Sequence, residues 1–578
     1  MKAPNSYQWI GFILLLALSM GGCGGSSDDD PALPGSSVKA ITAFSFTMAA
    51  NPQLAMSVTG VIDEANAAIA LVGPLDPEDV ASLKATFTTT GASLSVAGVT
   101  QTSGVTANSF AVPLTYRVTA EDGSTRDYTV YVAHWRNPSG LADHISPGGK
   151  EVYAAPQIAM NSSGDAVIVW LQRDATNTLQ IYMSEYRGGA WTHPDGPDDS
   201  ISPSGGQGAY YPKVAMDSDG NTIIAWSQND GGDEGGDARI YKSEYRGGLW
   251  THPADLSDYI SPEDLAVSDP KVAMDDNGNA IIVWTSWNSG DNRIYMSEYR
   301  DETWDHPANS ADYVGTPPNN IFDLRIAMDN DGNAVMVWRQ WKTGDNNFQI
   351  YKSEYRNSAW THPASLNDNI SPNGKSAYLP QVAMDDNGNA LIVWYQSDST
   401  NINQIFMSEY RDGDWAHPAS LSDNISPDGQ IATAPQVAMD DNGNAVIVWN
   451  QQNGSHYQVF KSEYRDGDWA HPASLSDNIS PDGQNAFTPM VAMNSNGNAL
   501  IAWHQNNQMY KSEYWDGVWI HPAGLSDNIS PDGALGLDNP PPHAVAMDDG
   551  GNAIIGWLQL DGDDDPQIFL SEYRLWES

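Results

Sequence analysis

The chain has 578 residues, 73 of them acidic and 27 basic, for a formal charge of −46. A field of that sign repels phosphate backbones and anionic lipid headgroups, so nucleic-acid binding is excluded. The single cysteine, Cys23, excludes disulfide frameworks, Cys-based zinc sites and a thiol nucleophile in the folded body. With 21 Trp, 25 Tyr, 51 Gly and 35 Pro, and with 57 Asp against only 16 Glu, the chain pairs large core-forming side chains with turn formers. That composition predicts an all-β protein.

At the N-terminus, Lys2 precedes an apolar run from Trp9 to Met20, too short to span a bilayer of ~30 Å and of the right length for a signal-peptide core. The run ends in Met20-Gly21-Gly22-Cys23, which resembles the lipobox of bacterial lipoproteins. The resemblance implies that residues 1–22 are removed and that Cys23 is lipidated, with palmitate among its acyl groups. Residues 23–35 are acidic and rich in Gly and Ser, the composition of a tether. Gly24 after the cysteine implies, by the same resemblance, the outer membrane of a Gram-negative cell, with the body either periplasmic or surface-exposed. The lipid is the only membrane attachment expected.

Residues 36–134 show short alternating runs: Ile41 to Phe46, Leu94 to Val99, Tyr116 to Ala120 and Tyr128 to Val132. The last two flank Glu121-Asp122-Gly123-Ser124, a hairpin signal because Gly accepts the positive φ that the turn needs. About seven such strands in ~100 residues suit an Ig-like sandwich. The hairpin resembles that of Ig-like or cadherin-like domains of bacterial surface lipoproteins, which implies a spacer.

From 135 to 578 the pattern Val-Ala-Met-Asp-x-x-Gly-Asn-Ala-Ile-Ile-Val-Trp recurs with its Trp at 170, 226, 284, 338, 394, 449, 503 and 557. A second Trp recurs at 135, 191, 250, 304, 360, 415, 469 and 519. Each repeat carries four strand signals joined by tight turns, the blade of a β-propeller. The last repeat stops before a fourth strand, and Trp135 to Pro147 matches the missing piece, Trp469 to Pro481. An eight-bladed β-propeller closed by the strand near Trp135 is therefore expected, monomeric and without an open edge.

Ser-Glu-Tyr, mostly followed by Arg, recurs in every repeat, as at Glu409 and Glu463. Ser408 to Trp415 resembles the Asp-box of sialidase-type propellers in its Ser and Trp spacing, but Tyr410 stands where the Asp belongs and Gly413 is one residue late. The resemblance implies architecture and not catalysis, because an active site needs one asymmetric constellation. The Trp-x-His-Pro histidines, such as His417 and His471, give way to Asn137 in the eighth copy, which suits a hydrogen-bonding role better than metal ligation. No cofactor is expected; the Asp-rich turns, as at Asp275, Asp276 and Asn277, read mainly as hairpin turns and secondarily as weak calcium sites.

Departures from the repeat carry the functional signal. The loops between second and third strands, and between fourth and next first strands, share one face of a propeller and are the variable ones. They offer Tyr153, Tyr210, Phe322, Tyr378 and Phe487 before the first strands, and Trp287 and Trp341 three residues after the blade Trp. Aromatics around one mouth suit a sugar ring or a peptide, so binding of a glycan or protein ligand is the leading expectation. The alternatives are a polysaccharide hydrolase or lyase, with Asp323, Glu263 or Asp264 as acids, and a purely structural envelope scaffold.

Overall fold

The computed structural model describes residues 35–205, 208–230, 237–288, 291–315, 320–533 and 543–575. The signal peptide and Cys23 lie outside the described residues. Among the described residues no helix is long and apolar enough to cross a membrane.

Among the described residues the protein is all-β apart from one four-residue helix, Pro77–Val80. In the N-terminal module, Ile41–Phe46, Val58–Thr59 and Thr86–Thr89 form one sheet; Ala68–Leu71, Ser93–Val96, Leu114–Thr119 and Thr125–Arg136 belong to a second. Alternation sends Phe44, Phe46, Tyr116, Val118, Tyr128 and Val130 into one shared core. Phe44 meets Tyr116 edge to face at 5.2 Å. The run from Leu94 to Val99 is two strands: the chain turns at Ala97 and Gly98, both with positive φ (46° and 81°), and returns as Val99–Thr100.

Seven four-stranded antiparallel sheets follow, each ordered as in the sequence. We number the blades by their innermost strands: first Gln157–Met160, second Ala209–Met216, third Ala266–Met274, fourth Ile321–Met328, fifth Ala377–Met384, sixth Ala432–Met439 and seventh Ala486–Met493. The eighth has His543–Met547, Ala553–Leu560 and Pro566–Leu575, and its fourth strand is Thr125–Arg136, whose residues 133–136 pair with 572–575. The innermost strands of the first and eighth blades are in contact, so the ring is continuous.

The blade tryptophans are at most 1% exposed. Each stacks on an aromatic of the third strand, as Trp338 does on Tyr351 at 6.3 Å. Burying ~150–250 Å² per ring at ~25 cal/mol/Å² stabilises each blade by about 4–6 kcal/mol relative to exposure. Most of these indoles donate to a Gln two residues on, as Trp338 does to Gln340 at 2.9 Å. That Gln can in turn hold the Ile-Ser-Pro loop through a proline carbonyl, as Gln396 holds Pro372 at 2.7 Å.

The second tryptophans join the blades. Each donates its indole N–H to the Ser-Glu-Tyr glutamate of the preceding blade at 2.7–3.4 Å, and Trp135 to Glu513 and Trp191 to Glu572 carry the series across the chain ends. The arginine after that motif lies 3.7–4.1 Å over the equivalent tyrosine of the next blade. The repeated glutamates are thus inter-blade joints. The repeated histidines bond the serine of the same motif, as His471 does Ser462 at 2.9 Å, and Asn137 makes the equivalent bond with Ser571.

One departure from the repeat serves the module junction. Where other blades have Arg, the seventh has Trp515, which packs on Tyr573 at 5.4 Å. The Tyr573 hydroxyl donates to the Gly73 carbonyl at 2.6 Å, and Lys511 pairs with Asp76 at 3.1 Å. Strand Thr125–Arg136 passes unbroken from one module to the other, so the two share a strand at residues 134 and 135 where the sequence suggests a boundary. Trp515 and Gly551, which approaches Val72, both belong to the short-turn face. The sandwich therefore docks there and leaves the variable-loop face uncovered.

Candidate functional site

At the variable-loop end, the innermost strands of the second to seventh blades each carry a β-bulge. The bulged residues Tyr211, Asp269, Asp323, Leu379, Ala434 and Thr488 have φ between 49° and 57°, an uncommon conformation for residues other than glycine. Each such residue costs about 1–3 kcal/mol and re-aims a side chain, and such strain clusters at ligand sites. The bulge residue and its predecessor differ from blade to blade, so six copies of one device present six different pairs.

The fourth and fifth blades gather the aromatics. Phe322 and Trp341 both meet Phe348 edge to face, at 5.8 and 5.1 Å. Tyr378 lies 6.3 Å from Phe348 and stacks on Tyr395 at 5.3 Å. The Arg339 guanidinium sits about 5 Å from Phe322, Phe348 and Tyr378 at once, and pairs with Asp323 at 2.7 Å. All of these are half-buried, neither core nor free surface.

Beside this wall lies a cluster of cations. The residue that opens the Val-Ala-Met pattern is Gln157, Gln381 and Gln436 in three blades, but Lys213, Lys271 and Arg325 in the second, third and fourth. Lys213 donates to Gln157 at 3.1 Å and Arg325 to Gln381 at 3.1 Å, so equivalent positions of adjacent blades meet around the axis. Asp269 is the shared counter-charge to all three cations. Burial pulls the Lys271 ammonium down to about 7 and Lys213 to about 8, against the pull of Asp269, and lowers Arg325 as well. Four cations, with Arg339, thus face two carboxylates in a molecule of charge −46.

The remaining sequence candidates lie elsewhere. Tyr210 neighbours Tyr211 at 6.3 Å, Phe487 neighbours Tyr457 at 5.5 Å, and Tyr153 is capped by Arg173, whose guanidinium lies 4.6 Å from the ring. The backbone of Trp287 pairs with Ala266, while its side chain is outside the described residues. Of the acids, Asp323 is engaged by Arg339, whereas Glu263 and Asp264 are exposed on the loop before the third blade. Asp275 accepts from the Asn277 and Asn279 amides at 3.0 and 2.8 Å and from the Asn279 side chain at 2.7 Å. Asp276 accepts from Ser218 at 3.0 Å, and Asn277 donates to the Asn330 carbonyl at 2.8 Å. Below the mouth, the repeated Ala-Met pairs of seven blades line an axial channel of about 390 Å³.

Arg339, Phe348, Tyr395 and the Lys213, Lys271 and Arg325 trio are not among the sequence candidates. A signal exists: the residue directly after the blade Trp, variable from repeat to repeat, pairs with the position before the bulge, as Phe322 does with Arg339 and Tyr378 with Tyr395.

Fold and site together define an all-β protein with a propeller-like ring of four-stranded sheets and an N-terminal β-sandwich. Residues 41–132 of that sandwich match a family model described as SGBP, N-terminal. No curated protein matches the chain. Among solved structures, a polysaccharide lyase, Uly1, is similar at 10% identity over 74% of this chain and 90% of its own, with a TM-score of 0.40. A protein of unknown function from Dyadobacter fermentans gives 12%, 55%, 96% and 0.34 for the same four measures. An endo-arabinase from Bacteroides thetaiotaomicron gives 15%, 47%, 99% and 0.28.

Proposed function

We propose that the protein is a lipid-anchored envelope protein that binds a glycan on the variable-loop face of its propeller. The observation that carries this reading is the convergence of Phe322, Trp341 and Tyr378 on Phe348, with Arg339 against Phe322, Phe348 and Tyr378, at one uncovered mouth. Half-buried rings flanked by hydrogen-bonding groups are what an amphipathic sugar ring stacks on. The match of residues 41–132 to a family of surface glycan-binding proteins supports the same class of ligand. Anchoring through Cys23 would place the sandwich toward the membrane and, because the sandwich sits on the short-turn face, turn the mouth outward.

The test is a glycan-array screen of the soluble chain beginning at Ser36, repeated with Phe322→Ala and Trp341→Ala combined. Loss of about 1–3 kcal/mol of binding with an unchanged melting temperature is expected, as for buried aromatic contacts. Unchanged binding by the double variant would overturn the assignment.

A further inference from the structure

The proposed glycan reading leaves open which glycans the mouth accepts, and the cation cluster speaks to that. Three of eight equivalent positions carry a positive charge, and they are consecutive in the ring: Lys213, Lys271 and Arg325. Nothing about the fold requires charge there, since three other blades fold with Gln at the same place. Clustering three cations, Lys271 buried and Lys213 and Arg325 half-buried, costs free energy through desolvation and mutual repulsion, and among the described residues Asp269 is the only carboxylate bonded to any of the three. The Asp269 side chain is 44% exposed against 8% for Lys271, so the cluster meets solvent at its Asp269 edge.

We propose that the mouth recognises an acidic glycan, with a uronate carboxylate or sulfate ester held by Lys213, Lys271 and Arg325 while a neighbouring sugar ring lies on the Phe322, Tyr378 and Trp341 wall. A bound anion supplies the missing counter-charge, and Arg325 offers it a planar set of donors. The overall charge of −46 does not veto this. Asp276, on the acidic short-turn side, is five residues from Lys271, about 16 Å along an extended strand, or roughly two Debye lengths at physiological salt. The acidic turns are thus largely screened from the mouth, while the polyacidic exterior discourages non-specific capture of acidic polymers elsewhere.

The proposal rests on the glycan reading and is separable from it. Binding to oligogalacturonate, to a sulfated galactan oligosaccharide and to a neutral galactan oligosaccharide is measured by calorimetry at pH 6.5. The proteins are the chain beginning at Ser36 and its Lys213→Gln, Lys271→Gln, Arg325→Gln triple variant. Glutamine is the residue that the repeat itself uses there, so the variant is expected to keep its melting temperature. The expected result is binding of at least one acidic oligosaccharide, weakened about 100-fold or more in the triple variant, as loss of two charge-assisted hydrogen bonds implies. The acidic probe that binds tells uronate from sulfate. Acidic binding that survives the triple substitution, or preference for the neutral oligosaccharide, would overturn the charge assignment and leave the glycan reading standing. Binding of none of the three would overturn the charge assignment, and a glycan array without a hit would remove the glycan reading as well. A triple variant that fails to fold is replaced by Lys271→Gln alone, for which a loss of about tenfold is expected and no loss contradicts the proposal.

Discussion

Substituting Trp135 by Ala tests the closure of the ring. Trp135 is 1% exposed, whereas its seven counterparts in the other blades are half-buried. Its ring packs on Tyr573 at 5.6 Å, Lys511 lies 5.0 Å over its face, and its N–H donates to Glu513 at 2.8 Å. Removing a fully buried indole leaves a cavity costing about 3–5 kcal/mol. Glu513 keeps Lys511 and Trp515 as partners, so the orphaned acceptor adds little. At Trp415, which is half-exposed, the same substitution removes less packing and is expected to cost about 1–3 kcal/mol. Trp135→Ala is therefore expected to be the more damaging by about 2 kcal/mol in urea denaturation. It is also expected to loosen strand Pro566–Leu575 selectively in hydrogen exchange, because that strand loses its edge cover. Equal costs at the two tryptophans, or uniform exchange across all eight blades, would refute closure by Trp135.

Three further outcomes are expected. Glu463→Gln weakens the joint to Trp519, Lys461 and Arg465 and should cost about 1–2 kcal/mol at pH 7. In the native protein Lys461 and Trp519 outweigh partial burial and hold this carboxyl below its ordinary value; its stabilisation is thus present above the unfolded pKa near 4.3 and lost as pH falls through the folded one. The gap between variant and wild-type melting curves should then close below about pH 4, and a gap constant to pH 3 would contradict it. Affinity for an acidic oligosaccharide should fall as pH rises from 7 to 9, because burial, aided by Arg325 and opposed by Asp269, holds Lys271 at about 7 and Lys213 at about 8, and both lose their charge there. The Asp323–Arg339 pair also lines this mouth, and a flat profile would count against the lysines. Cys23→Ser should release the protein from washed membranes, since one acylated residue is the only anchor expected; retention at the wild-type level would refute the lipoprotein reading.

The repeat made the fold legible, because eight copies separate what every blade needs from what one blade has. The blade Trp, the Asp-x-x-Gly turn and the displaced fourth strand of the eighth blade all follow from comparing the chain with itself. What joins the blades is not visible in this way: Trp469 finds Glu409 sixty residues back, and no local pattern pairs them. The bulges were hidden because Asp269, Leu379 and Ala434 adopt positive φ without the glycine that normally announces it. Trp515, in place of Arg, reads as a lapse in the repeat until Tyr573 and the sandwich are seen against it. Phe322, Tyr378 and Trp341 were legible as departures from the repeat, but they read as loop residues, whereas strands extended past the repeat's core carry all three. Arg339 was not, because it borders the blade Trp at a position that reads as core, and Lys213, Lys271 and Arg325 sit within a strand whose other positions are structural.

The most direct test of the central reading is hydrogen exchange of the chain with and without a saturating acidic oligosaccharide. Glycan binding at the variable-loop mouth predicts protection at the bulged segments Ser268 to Lys271, Phe322 to Arg325 and Tyr378 to Gln381, with none at the short-turn segment Asp275 to Asn279. Protection confined to the short-turn face, or to the sandwich over residues 41–132, would contradict it.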